Sequence, residues 1–374
     1  MIHSKWAPRL GVFLVLLAFF AIGPITTIHA QQGAAVVAGL KGEEDALKAW
    51  HEKLPPECKT KDANGVETDK PYIMVTGDRL GTYAKIGLDM LRLPEAGKFF
   101  CVMETQGGYN NALHLAHNLA ELGLVQVDAL ELVGKYDQHV AALRSLVSLY
   151  PAAMHIVTTT TSFVNGYVAS KGSGWGFTGG ETRKLLSLND LRGLPVAVWS
   201  SALVTAQNLN EATGAGMVLV TVTTAQEGLD KVRRGEVAAF IGMGGQPVGW
   251  VANLDRNMHL MGLSEIEINA MMGKFPRSGY TRENLIYDNL GQVGVGSIAS
   301  RVELVVQNFQ GRRGENLIAL RTAIIEGIDD IREQRGAQTA WKLVTQPDLT
   351  LWARYEGPKP KKPAAPVPPS TAGR

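Results

Sequence analysis

Little in this sequence marks an enzyme. It has no GxSxG elbow and no SxxK pair, so the usual markers of a covalent hydrolase are missing. It also lacks HExxH, and its two cysteines, Cys58 and Cys101, cannot make a thiolate-rich metal site. Glu265 and Glu267 stand one residue apart, a surface spacing and not an acid–base pair. Charge of one sign is lacking as well. The 37 Lys and Arg are balanced by 35 Asp and Glu, which leaves no electrostatic footprint for nucleic acid. Beyond the first thirty residues no run is long and apolar enough to span a bilayer, which takes about 20 residues. What the chain has in excess is glycine, 41 residues in 374, against an average near 7%. Many of these glycines fall where strands end, where backbone turns sharply or approaches a ligand.

Residues 71–127 carry the organising pattern. Tyr72 to Thr76 is a short β-branched apolar run, followed by Gly77 and Gly81 and then helical spacing from Thr82 to Leu93. A second strand, Phe99 to Met103, breaks at Gly107–Gly108 into a helix expected over Asn110 to Leu122, and a third strand follows over Leu124 to Val127. Strand, glycine turn and helix in repetition predict an open parallel sheet. Ligands of such sheets sit at the carboxyl ends of strands, under the free N–H groups of helix N-termini. The middle of the chain repeats the unit with strands at Pro195 to Trp199, Met217 to Val222 and Val237 to Gly242.

Two segments cross between these repeats. Leu143 to Val157 is almost wholly apolar with Pro151 at its centre, where a lost ladder bond is expected to bend the strand. Gln292 to Ile298 is the second crossing, and Asn316 to Arg335 is an amphipathic helix returning to the first repeat. Two crossings imply two α/β lobes joined as a hinged clamp. The expected organisation is a signal peptide over 1–30, a lead-in over 31–70, lobe I over 71–151 and 291–355, lobe II over 152–290, and a disordered Pro/Lys/Ala-rich tail over 356–374. In the leader, Lys5 and Arg9 precede an apolar run, and Ile28-His29-Ala30 offers a cleavage site before Gln31. The run is short for a spanning helix, so a cleaved export signal and a periplasmic location are expected over a retained anchor. In an oxidising compartment Cys58 and Cys101 can pair, although Cys101 reads equally as a small apolar core residue.

Several motifs together resemble those of the TAXI family, the extracytoplasmic solute-binding proteins of a class of TRAP transporters. They are TGDRLGTY after the first strand, METQGG after the second, LVQVD at the third, and LRSLVSLYP at the first crossing. In the second lobe they are SLNDLRGLPVAV with its paired serines, LDKVRRGEVAAFIGMGGQP, and the return at VGVG. The resemblance covers about Tyr72 to Val344 and implies an α/β, two-lobed type II periplasmic-binding fold, with two open sheets flanked by helices and joined by hinge strands. It further implies capture of a small organic acid or amino acid, glutamate-like in some members, and delivery to TRAP-type membrane permease subunits. The family's first turn resembles TGGTGG, where this chain has Thr76-Gly77-Asp78-Arg79-Leu80-Gly81. Its second-lobe turn resembles Gly-Ser-Gly-Thr, where this chain has Ser200-Ser201-Ala202-Leu203. The stretch from Gly172 to Gly180 looks like an insertion. An alternative is an extracytoplasmic sensor or scaffold using the same clamp to signal occupancy without transport.

The candidate ligand-binding residues follow from the turns. Thr76, Gly77 and Gly81 offer a hydroxyl and N–H donors at a helix start. Arg79 is placed to fork onto a carboxylate or to stay solvated beside Asp78. Tyr83 suits either an apolar wall with a polar tip or core packing. Gln106, Gly107, Gly108 and Tyr109 form the second helix start. Gln126 and Asp128 close the third strand, with Asp128 either meeting an amino group or capping a helix. Ser200, Ser201 and Thr205 present hydroxyls from the other lobe, with Ser200 equally an N-cap, and Gln246 closes over the ligand from the GMGG turn. No catalytic residue, cofactor or metal is expected. Gly174 to Gly179 formally matches GxGxxG, yet opens no convincing helix and has no acid about 20 residues on, as a dinucleotide fingerprint requires. His114 and His117 stand at i, i+3, and without further ligands they are expected to be solvated or core-lining residues.

Overall fold

The computed structural model describes residues 59–61, 67–69, 72–159, 163–164, 182–183, 185–199 and 202–358. The leader, most of the lead-in, the Gly172 to Gly180 stretch, Ser200, Ser201 and the tail from residue 359 lie outside the described residues. Two short antiparallel pairs, Lys59–Lys61 with Glu67–Asp69 and Phe163–Val164 with Thr182–Arg183, stand apart from the main sheet.

The first lobe runs β1 (Tyr72–Val75), α1 (Thr82–Leu91), β2 (Phe100–Met103), α2 (Gly108–Ala116), β3 (Leu122–Gln126) and α3 (Val127–Gly134). All four residues of β1 and all five of β3 are buried, as expected for parallel strands covered on both faces. Helix α2 ends before Leu122 because Asn118 takes a left-handed conformation, φ 59°, which Asn tolerates better than most residues. The third strand accordingly starts two residues earlier than its sequence suggests.

The crossing strand β4 (Arg144–Thr159) leads to β5 (Pro195–Trp199), α4 (Leu203–Thr213), β6 (Val218–Val222), α5 (Ala225–Arg233), β7 (Ala239–Gly244) and β8 (Met258–Met261). Then come α6 (Glu265–Lys274), β9 (Tyr280–Tyr287), the second crossing strand β10 (Gln292–Val306) and α7 (Gly311–Glu333). The main sheet has the order β6-β5-β7-β4-β10-β3-β1-β2, with β8 on β4 and β9 on β10. Each lobe therefore has the same plan, three parallel strands in the order second, first, third, flanked by a long antiparallel crossing strand. The expected pair of separate sheets is one continuous ten-stranded sheet, because β4 and β10 bond to each other through both halves. Pro151 does not end β4. The ladder instead changes register between Arg301 and Glu303, beside Pro151, which is how a strand accommodates a residue that cannot donate.

The amphipathic face of α7 buries Leu317, Leu320, Ile324, Ile328 and Ile331. It lies on the first lobe so tightly that a Cβ on Gly327 would stand 2.6 Å from Leu93. Beyond α7 the chain is tied down by charge. Buried Asp89 accepts hydrogen bonds from Gln338 N at 2.8 Å and Trp341 Nε1 at 3.0 Å. Buried Glu303 takes the backbone N–H groups of Leu351 and Trp352, and Tyr355 N bonds Ser145 O at 2.8 Å. Among the described residues, no helix is long and apolar enough to cross a membrane.

Candidate ligand-binding cleft

The carboxyl ends of β1, β3, β5 and β7 meet across a narrow cavity. Its walls are Gly77, Asp78, Gly81, Thr82 and Tyr83 from the first turn, Gln106 and Gly107 from the second, and Gln126 from β3. Tyr150 and Ala152 enter from β4, and Trp199, Met243 and Gly244 from the second lobe. The cavity volume is about 20 Å³, room for one or two waters. The lobes touch across it. A Cβ on Gly81 would stand 3.4 Å from Trp199 Cη2, and one on Gly244 would stand 3.3 Å from Thr82 Oγ1.

Among the described residues, three polar groups in this wall have no partner. Tyr83 Oη, Tyr150 Oη and Gln126 Nε2 are all buried and make no hydrogen bond. Such groups are uncommon in native proteins, because each costs roughly 1–3 kcal/mol. Burial holds both phenols well above the ordinary tyrosine pKa, with the nearby Tyr150 and Asp128 adding to the effect on Tyr83. Both hydroxyls therefore keep their protons and can donate, as can the Gln126 amide. Tyr83 Oη and Gln126 Oε1 lie 3.3 and 3.4 Å from where a Gly108 Cβ would project, so only glycine leaves that space open. Gly107 caps α2 at φ 113° and ψ −165°, a backbone conformation essentially restricted to glycine. Neither α1 nor α2 has a side chain capping its N-terminus. Among the described lining residues there is no Lys or Arg.

The sequence-derived candidates divide. Gly77, Gly81, Tyr83, Gln106, Gly107 and Gln126 line the cavity, and Gly108 stands directly behind it. Tyr109 is half-buried in the first turn of α2 and outside the lining. Arg79 is exposed and lies outside the lining, because the turn closed by Asp78 on Leu80 and Gly81 carries it outward. Thr76 is buried and turns its hydroxyl onto Met103 O at 3.0 Å, tying β1 to β2. Gln246 is bonded to Glu283 and to the backbone of β9. Ser200 and Ser201 lie outside the described residues.

Asp128 and Thr205 meet each other. Thr205 Oγ1 in α4 donates to Asp128 Oδ2 at 2.5 Å, joined there by Tyr280 Oη at 2.9 Å, while Ser300 Oγ donates to Oδ1 at 3.0 Å. Asn208 Nδ2 supports Tyr280 at 2.8 Å. This clasp links the lobes beside the hinge strand β10, and burial pushes the Asp128 carboxyl above its usual pKa. The two histidines at i, i+3 part company too: His114 is buried, and His117 is exposed and bonded to Asp137.

Tyr150, Ala152, Trp199, Met243, Gly244, Asp78 and Thr82 were not foreseen as site residues. Tyr150 and Ala152 look like core in an apolar strand, and only the path of β4 along the cleft brings them to it. Trp199 and Gly244 did carry a signal, since each is the last residue of a parallel strand.

The fold and cavity define a two-lobed α/β protein with a narrow cavity between the lobes. No family model matches the chain, and no curated protein matches it. Solved structures with a similar arrangement include a Bordetella bronchiseptica RB50 protein, 15% identical over 73% of this chain and 75% of that one, TM-score 0.43. The GluR0 ligand-binding core with L-glutamate is 9% identical over 74% and 99%, TM-score 0.41. AbpA of Streptococcus pneumoniae, an amino acid ABC transporter substrate-binding protein bound to L-arginine, is 11% identical over 73% and 94%, TM-score 0.40.

Proposed function

We propose that the protein is an extracytoplasmic solute-binding protein that captures a small organic acid or amino acid between its lobes. The observation that carries this is the set of three buried donors, Tyr83 Oη, Gln126 Nε2 and Tyr150 Oη, without partners among the described residues in one interlobe cavity. As donors they suit a carboxylate, while Asp78 and Gln126 Oε1 in the same wall are acceptors that an amino group can meet. The cavity as it stands holds only one or two waters, so the lobes part to admit such a guest and its contacts with both lobes then select the form closed around it. Neutral donors then replace the Arg79 fork as the carboxylate anchor, and Trp199 supplies the apolar wall across the gap. Delivery to a TRAP-type permease, and a glutamate-like ligand, rest on the motif resemblance from Tyr72 to Val344.

Export is supported by the leader and by Cys101, which is disulfide-bonded, as oxidising compartments allow. The only other cysteine in the sequence, Cys58, lies outside the described residues. The decisive experiment is mass spectrometry of small molecules that co-purify with the natively exported protein, followed by a thermal-shift panel of amino acids and dicarboxylates. A carboxylate that both co-purifies and stabilises is the expected result. Turnover of the bound compound, or a panel with no stabilising member and no co-purifying solute, overturns the reading.

A further inference from the structure

At the end of α2 away from the cleft, about 13 Å along its axis, three side chains converge. His117 is the C-terminal cap residue of α2, and its Nε2 stands 2.6 Å from Asp137 Oδ2. His139 Nδ1 stands 2.8 Å from Asp137 Oδ1. The ligating atoms of all three residues lie within 4.8 Å of one another.

Asp137 is anchored by the backbone around it, and both rings are more exposed than its carboxylate. Its backbone N–H bonds Val133 O at 2.8 Å, at the end of α3. Its carboxylate also caps the short turn Gln138–Ala142 by accepting from His139 N at 2.9 Å. The Asp137 side chain is 12% exposed, against 37% for His117 and 61% for His139. Both α2 and α3 end here, and helix C-termini carry partial negative charge that favours a cation.

We propose that His117, Asp137 and His139 form a binding site for a first-row divalent transition metal, of the zinc type. Two imidazole nitrogens and one carboxylate oxygen are a donor set suited to such ions, with water completing four-coordination. Metal–ligand bonds near 2.0–2.1 Å place tetrahedral ligand atoms about 3.3 Å apart, a spacing the two exposed rings reach by small rotations. Each ring binds through a nitrogen free of its proton and keeps its one proton on the other nitrogen, so acid competes with the metal for the same nitrogens. The ion ties the ends of α2 and α3 to the turn between Gln138 and Ala142. It stabilises the first lobe from the side opposite the cleft, without contact to the solute.

The test is a titration of the mature, untagged chain with zinc chloride, followed by calorimetry and by melting temperature, with cobalt(II) as a spectroscopic probe of coordination. The expected result is one saturable site, a melting temperature raised by zinc and restored by EDTA, and the strong visible absorption of four-coordinate cobalt. Partners that only orient metal ligands change affinity by about 10–100-fold, so Asp137→Asn and His139→Gln should each weaken zinc binding by at least about tenfold. Both variants should keep the metal-free melting temperature close to that of the parent. No saturable binding at millimolar zinc, or unchanged affinity in both variants, overturns the proposal. Solute capture in the cleft stands or falls separately, since neither substitution touches it.

Discussion

Tyr150→Phe separates a ligand-binding hydroxyl from a structural one, because the two roles predict opposite signs. Tyr150 is fully buried and its Oη has no partner among the described residues, so the ligand-free protein carries the cost of a desolvated donor, roughly 1–3 kcal/mol. The cavity has room for one or two waters, and a water bound to Oη offsets much of that cost. Phe fills the same volume without the donor. The ligand-free variant should therefore be as stable as the parent, or more stable by up to about 1 kcal/mol. Binding should move the other way. A hydrogen bond to a charged acceptor contributes roughly 1.5–3 kcal/mol, a loss of about ten- to a hundredfold in affinity. The assay is chemical denaturation without ligand, paired with calorimetric titration using the strongest stabiliser from the amino acid and dicarboxylate panel. Unchanged affinity, or a ligand-free protein destabilised by more than about 1 kcal/mol, would refute the assignment of Tyr150 as a waiting donor.

The remaining predictions concern the frame around that donor. Gly107→Ala forces a side chain onto φ 113° and should cost about 1–3 kcal/mol of stability along with solute affinity, read by denaturation and titration; a neutral result would show that the turn relaxes. Trp199→Phe should abolish most of the ligand-induced change in tryptophan fluorescence, since Trp199 lines the cavity; an undiminished signal would place the reporter elsewhere. Asp128 is raised above its usual carboxyl pKa by burial. Below the unfolded value, 3.8, it is protonated in both states and contributes nothing. As pH rises through the raised folded value the native state holds its proton more tightly, so stability is lost. In Asp128→Asn that downward slope should disappear from the stability profile. His155 is lowered to about 3 by burial and bonded to Tyr287 Oη at 2.9 Å. Its contribution is intact above the unfolded value near 6.5, and is lost as pH falls from there toward 3, because the unfolded chain gains the proton first. His155→Phe should flatten that acid limb in denaturation profiles taken at successive pH values.

The sequence by itself determined the local grammar of this protein. Buried β-branched runs followed by glycine turns located β1, β2 and β3, and the periodicity of Leu317, Leu320, Ile324, Ile328 and Ile331 located α7, because these signals depend on neighbours within a few residues. The glycines at 77, 81, 107 and 108 pointed to the rim of the cleft for the same reason, since turn geometry and helix starts are local properties. What each side chain does there depends on partners far away in the chain. Asp128 and Thr205 are 77 residues apart and join each other in place of a guest. Arg79 is turned outward by a four-residue loop, and Gln246 is taken up by β9. Tyr150 had the pattern of a core residue and became a cleft donor only because β4 runs the length of both lobes. The polar groups facing the cavity are those left over once the two lobes have packed against each other, and that remainder exists only in three dimensions.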